Sequence, residues 1–374
     1  MNALCAVALV VTGWLFSAAA MAVDIVIAQV GPFSGPLAVN GEANYIGAKA
    51  CFDKVNAQGG IGGRRIRFIR EDDAYKPAET IRLLRLVAER DKPVAFINLF
   101  GSANASAVIK DQTLEQLGIP VVGLTPGSEA LREPGSTHLF HIQAGDRVQL
   151  RAMLSHLSTI GISRVAVVLQ ANPFGEGGLK FIEQMAPGKG LTVVGTFAVP
   201  IGAEDAKAAA TALRRFNVQA YLMVLAPNSG AAFVRDVRGS GDSTPIYGMS
   251  YVTAQGVVGK AGLEKAVGVA LTQVAPNPSI PTTGLTREFH AAMRAHALKD
   301  AELTSMSLAG YLAARVTVEA IKRSRGASAP AVEAALRGLK LDLGGYTVDF
   351  SDGGNVGSHM VEIGVIGRSG DLRY

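Results

Sequence analysis

The feature that most constrains this chain is its alternation. From residue 24 onward, short apolar runs of β-formers take turns with longer stretches whose apolar residues recur three and four apart. "DIVIAQVG" (24–31) reads as a strand and "GEANYIGAKACFDKVNAQ" (41–58) as a helix. A second strand after "GGIGG", a helix over 78–90, "PVAFINLFG", a helical "ASAVIKDQTLEQLG" and "IPVVGL" continue the pattern. A second series starts after "HLFHIQAGDRVQ", with helices predicted over 147–160, 176–186, 204–215 and 229–239 between apolar strands, and further helical segments follow. A βαβα order demands a parallel sheet, because each crossover helix must return the chain to the same edge. Two such series suggest an α/β protein of two lobes joined by several crossings, with ligands bound beyond the carboxyl ends of the strands and so between the lobes.

At 374 residues the chain is long enough for two cores, and its 48% hydrophobic and 18% charged residues describe a globular protein. The net charge of +5 is mild and scattered, with no aromatic-interleaved basic stripe, so no nucleic-acid partner is expected. Residues 1–22 carry no charged side chain, have an apolar centre and end in Ala20-Met21-Ala22, which predicts a cleaved secretory signal and a periplasmic protein beginning at Val23. Cleavage would remove Cys5 and Trp14 and leave Cys51 as a single thiol, so no internal disulfide is expected.

Catalytic and metal signatures find little support. "GGIGG" leads from helix to strand, the reverse of a dinucleotide fingerprint. His138 and His141 would point to opposite faces of a strand, and no Cys or acidic cluster joins them. Glu71, Asp72 and Asp73 are read as acids that cap the loop after their strand. No metal, cofactor or catalytic set is predicted. "LQANPFGEGGLKF" (169–181) stands between strand and helix but lacks the Lys-Ser/Thr ending of a phosphate loop, which leaves a turn or a ligand rim. Three loops, 31–41, 100–107 and 123–131, each follow a strand and open a helix with hydroxyls, amides and glycine. Ordinary N-capping would explain any one of them; together they suggest a rim for a carboxylate or other small polar ligand.

At these loops the chain resembles the branched-chain amino acid-binding family of periplasmic solute-binding proteins of ABC importers. The residues that carry the resemblance are the run from "GPFSGPLAVNGEANYIG" to "EDDAYKPAET", "IPVVGLTPGSEALRE", "NPFGEGGLKF" and "MSLAGYLAARVTVEAI", in the family's order. The resemblance implies two Rossmann-like lobes with parallel-sheet cores joined by three hinge crossings, which divide here as 23–143 plus 274–349 and 144–273 plus 350–374. It implies a monomeric receptor that captures a small-molecule solute and delivers it to an inner-membrane ABC permease. A sensory module or a secreted enzyme would be the alternatives. The implied first-lobe contacts are Ser34, Asn40, Asn104, Ala105, Ser106, Thr125, Pro126, Gly127 and Ser128. From the second lobe come Phe174, a ring that closes over the ligand, together with Ala226, Ser250, Tyr251 and Gln273. Ser250 and Tyr251 stand where amino acid-binding relatives carry an acid for the ligand's ammonium, which favours an organic acid, an aromatic carboxylate or an amide. Tyr75 and Ala103 occupy the places of a disulfide found in relatives.

Overall fold

A computed structural model describes residues 23–374, apart from Pro126, Pro134 and Glu204 and the side chain of Pro36. The signal segment 1–22 and the expected contact Pro126 therefore lie outside the described residues.

The first half of the alternation forms a five-stranded parallel sheet from β1 (Ile25–Gly31), β2 (Ile66–Asp72), β3 (Ala95–Phe100), β4 (Val121–Thr125) and β5 (Leu139–Phe140), in the order β2-β1-β3-β4-β5. The second half builds a sheet from β6 (Arg164–Gln170), β7 (Thr192–Val199), β8 (Ala220–Val224), β9 (Ile246–Gly248) and β10 (Ala270–Gln273), again all parallel. Alternate residues of each central strand enter different cores. Ile25 and Ile27 face one layer of helices while Ala28 and Val30 face the other, and Val165 and Val167 part from Ala166 and Val168 in the same way. Both faces being covered, the central strands read as continuous apolar runs.

Late segments return to both lobes. Helices Gly284–His296 and Ser305–Arg323 pack on the first sheet, beside helix Ala38–Ala57. A hairpin of β11 (Lys340–Asp342) and β12 (Thr347–Asp349) contributes Leu341 and Val348 to that core. The chain then adds β13 (Glu362–Ile366) and β14 (Leu372–Arg373) to the second sheet, antiparallel to β10 and to each other. The βαβα pattern predicted parallel strands only. No helix follows Leu336 to carry a crossover, so these last strands are joined by a tight turn and must run antiparallel.

The chain thus passes between sheets three times: after β5, after β10 and before β13. Phe350 still packs in the first core, and Asn355 and Gly357 bond to Leu139 and His141, so the last passage lies beyond residue 349. Helix boundaries fall close to those read from sequence, with one difference that matters. The helix predicted over 176–186 begins at Pro173, because Asn172 caps it by accepting the Gly175 N–H at 3.1 Å.

Candidate functional site

The carboxyl ends of the two parallel sheets face a common cleft, and the polar residues gather where the chain passes between them. Thr125 ends β4 and Gln273 ends β10, while Ser250 and Tyr251 lie just past β9. These residues and Gly127 line one interlobe cavity, together with Arg132, Gln143 and Gln149. Its apolar wall is made by Leu124, by Val274, Ala275, Pro276 and Pro278 on the second passage, and by Met306 and Leu308 at the start of helix Ser305–Arg323. Ser250, Gln273 and Ser305 also border an adjoining recess that reaches Asn277, Thr304 and Asp371.

A ring of hydrogen bonds joins the lobes at this cavity. The Gly127 N–H donates to the Tyr251 phenolic oxygen at 2.8 Å, the Tyr251 O–H donates to Asp146, and the Asp146 N–H returns to the Gly127 carbonyl at 3.0 Å. Gly127 belongs to the loop after β4 and Tyr251 to the loop after β9, so one phenol touches both lobes. Burial pushes the Tyr251 hydroxyl far above its ordinary range, which keeps it a neutral donor. Burial also raises the Asp146 carboxyl to about 6, with Glu129 adding to the rise while the Tyr251 hydroxyl and Arg132 oppose it. Below the ring, Gln149 Oε1 accepts the Ser250 N–H at 3.0 Å and the Thr272 hydroxyl at 2.7 Å, which fixes the loop after β9 against β10.

Arg132 forms the floor. Its Nε donates to the Gly127 carbonyl at 3.2 Å and its Nη2 to the Gln143 carbonyl at 3.0 Å, tying the loop after β4 to the first passage. Arg132 is the one charged side chain among the described residues lining this cavity.

Phe174 and Ser128 meet across a second groove, next to Asp146. Phe174 stands in the first turn of helix Pro173–Met185, half-buried, with its ring edge-on to Tyr251 at a centroid separation of 5.6 Å. Gly175 and Gly178 allow that helix to lie close to the sheet. A Cβ at Gly175 would sit 2.1 Å from the Gln170 carbonyl oxygen, and one at Gly178 would sit 2.6 Å from a Val224 methyl. Gly175 and Gly178 are therefore packing residues that set the position of the Phe174 ring, whereas a Cβ at Gly177 would meet nothing within 4 Å.

Other expected contacts lie elsewhere. Asn104 is fully buried and donates to Asp73 at 3.1 Å, and Ala105 packs in the first-lobe core. Ser106 is exposed on helix Ser102–Lys110, whose inner face takes up its two neighbours. Ser34 is exposed, and Asn40 is half-buried on helix Ala38–Ala57. Asp72 accepts the Ala74 N–H at 2.9 Å, the capping role expected of it in the loop after its strand, and also holds the loop of Ser34 by accepting the N–H groups of Phe33 and Ser34 at 2.9 and 3.2 Å. Ala226 borders a separate recess with Asn172 and Asn228 in the second lobe. Nothing in the structure brings these residues to the interlobe cavity. The Tyr75 ring covers Gly101, at one of the positions where relatives carry a disulfide.

Arg132, Gln143, Asp146, Gln149 and Ser305 were not anticipated. Arg132 sits in "SEALRE" and Asp146 in "AGDRVQ", patterns that read as a solvated helix face and a helix start. Only the folding of two distant segments onto one another makes a site of them.

The comparisons with known proteins agree with this architecture. A family model described as "Periplasmic binding protein" matches residues 24–371. An extracellular ligand-binding receptor from Verminephrobacter eiseniae superposes with a TM-score of 0.86 at 33% identity, covering 94% of this chain and 100% of that one. A substrate-binding periplasmic protein from Ralstonia solanacearum gives 0.85 at 32% identity, covering 93% and 99%. Over its whole length the chain is also similar to Leu/Ile/Val-binding protein homolog 7 of Brucella melitensis, at 25% identity across 98% of this chain and 94% of that protein. With two parallel-sheet lobes, three passages between them and a polar cavity at the strand ends, the chain belongs to the periplasmic binding protein family.

Proposed function

We propose that the protein is a periplasmic receptor of an ABC importer that captures a small carboxylate-bearing solute between its lobes and presents it to an inner-membrane permease. The observation that carries this reading is the cavity lined from both lobes and bridged by Tyr251 and Gly127. A solute that touches both walls stabilises the closed arrangement by its differential affinity for it, which is how hinge closure becomes a signal for delivery. The solute class in this reading is an amino acid, an aromatic acid or another organic acid or amide, and the name of the Brucella relative points to the first of these. Thr125, Gly127, Ser250, Tyr251 and Gln273 are the contacts in this reading, with Ser128 and Phe174 closing the adjoining groove. We assign residues 23–143 with 274–357 to the first lobe, placing the last boundary at 357 rather than the expected 349 because Asn355 and Gly357 bond to Leu139 and His141. Residues 144–273 with 358–374 form the second, and we take the receptor to work as a monomer.

Thermal denaturation against a panel of amino acids, aromatic acids and dicarboxylates tests this. A bound solute at a hundredfold excess over its Kd should add about 2.7 kcal/mol of stability, a shift in melting temperature that is easily measured. No shift with any member of the panel would count against the receptor reading.

A further inference from the structure

The cavity holds a buried cation on which Glu129 and Asp146 act only from beyond contact distance. Arg132 is 7% exposed, and its Nη1 is buried and makes no hydrogen bond. No Asp or Glu among the described residues comes within ion-pairing distance of it. The two nearest acids are engaged elsewhere: Asp146 accepts the Tyr251 hydroxyl, and Glu129 accepts the Arg147 N–H at 2.9 Å. Burial accordingly lowers the proton affinity of the guanidinium. A buried guanidinium with an idle N–H gains strongly from an anion placed against it.

The rest of the lining says what the anion's body and its other groups can be. Thr125, Gln143, Ser250 and Gln273 are polar but uncharged, and no Asp, Glu or His among the described residues lines the cavity. An ammonium group buried there would find hydroxyls and amides but no carboxylate, a strongly disfavoured arrangement. Asp371 lies in the adjoining recess, and Asp146 stands behind the Tyr251 ring system.

We propose that Arg132 Nη1 anchors the carboxylate of the solute, and that the solute is an aliphatic or aromatic monocarboxylate without an ammonium group, its apolar body against Leu124, Val274, Met306 and Leu308. This rests on the receptor reading and narrows it. It departs from the helix-end loops at 100–107 as the carboxylate holder, since Asn104 and Ala105 are buried in the first lobe.

Titration calorimetry on the protein with two matched sets of probes decides it: 4-methylpentanoate, its amide and leucine; phenylacetate, phenylacetamide and phenylglycine. In at least one set the carboxylate should bind about tenfold to a hundredfold more tightly than both the amide and the amino acid. Arg132→Gln should erase that preference and Arg132→Lys should keep part of it. Arg132 also ties Gly127 to Gln143, so if Arg132→Gln fails to fold, the comparison on the unsubstituted protein decides alone. An amide equal to its carboxylate, or an amino acid tighter than its deaminated partner, would overturn the inference and leave the receptor reading standing. Silence from all six probes would overturn the inference too. The receptor reading would fall with it only if the wider thermal panel were also silent.

Discussion

Asp146 shows how a single buried group carries consequences for the whole site. Its carboxyl titrates near 6 in the folded protein and near 3.8 when free in water. A carboxyl raised by folding stabilises the protein most when protonated, and that contribution is lost as the pH rises from the unfolded to the folded value. Wild-type protein should therefore lose stability between about pH 4 and pH 6 relative to Asp146→Asn, which keeps an acceptor for the Tyr251 hydroxyl. Urea denaturation of both proteins across that range measures it; parallel pH profiles would show that Asp146 does not titrate there. Tyr251 and Phe174 act at the same scale. Tyr251→Phe removes the phenolic oxygen that accepts the Gly127 N–H, and should weaken solute binding by about 0.5–1.5 kcal/mol if that contact belongs to the closed state. Phe174→Ala deletes a ring packed on Tyr251 and should cost about 1–3 kcal/mol of affinity if the ring covers the solute. Calorimetry reads both, and an unchanged Kd for either variant removes that residue from the site.

At the scale of elements, the helices Ala38–Ala57 and Ser305–Arg323 cross with backbone nearly touching backbone. A Cβ at Gly47 would lie 1.8 Å from the Ser307 carbonyl oxygen, and one at Gly310 would lie 1.8 Å from that of Asn44. Gly310→Ala should therefore destabilise the first lobe by about 1–3 kcal/mol, as overpacking does elsewhere. A denaturation midpoint equal to wild type would mean that the crossing is looser than it looks here. The elements themselves were legible in the sequence, because apolar residues at period two and period 3.6 leave a strong trace wherever a face is buried. Two things escaped it. Pro173, Phe174 and Gly175 read as a loop because glycine and proline punctuate, yet the Asn172 cap starts the helix there. The strands after Phe350 are short and amphipathic, with too little apolar signal to declare their direction.

At the scale of the whole molecule, sequence reasoning located the cleft but only part of its lining. Thr125 and Gly127 were accessible to it because they stand at the carboxyl end of a strand that must face the site, whereas Ser250, Tyr251 and Gln273 came only from the family resemblance. Asn104 and Ala105 were misplaced for a geometric reason: a helix that opens at a strand end presents only part of its first turn to the cleft, and the rotation of helix Ser102–Lys110 turns these two inward. Arg132 and Gln149 lie inside segments that look like ordinary amphipathic surface, so only three-dimensional proximity reveals them. The account as a whole claims that a solute is held by both lobes at once. A crystal structure of the protein with its tightest-binding solute tests this most directly. The solute should lie between Thr125 and Gly127 on one side and Ser250, Tyr251 and Gln273 on the other. A solute held by one lobe alone, or bound outside the cleft, would contradict it.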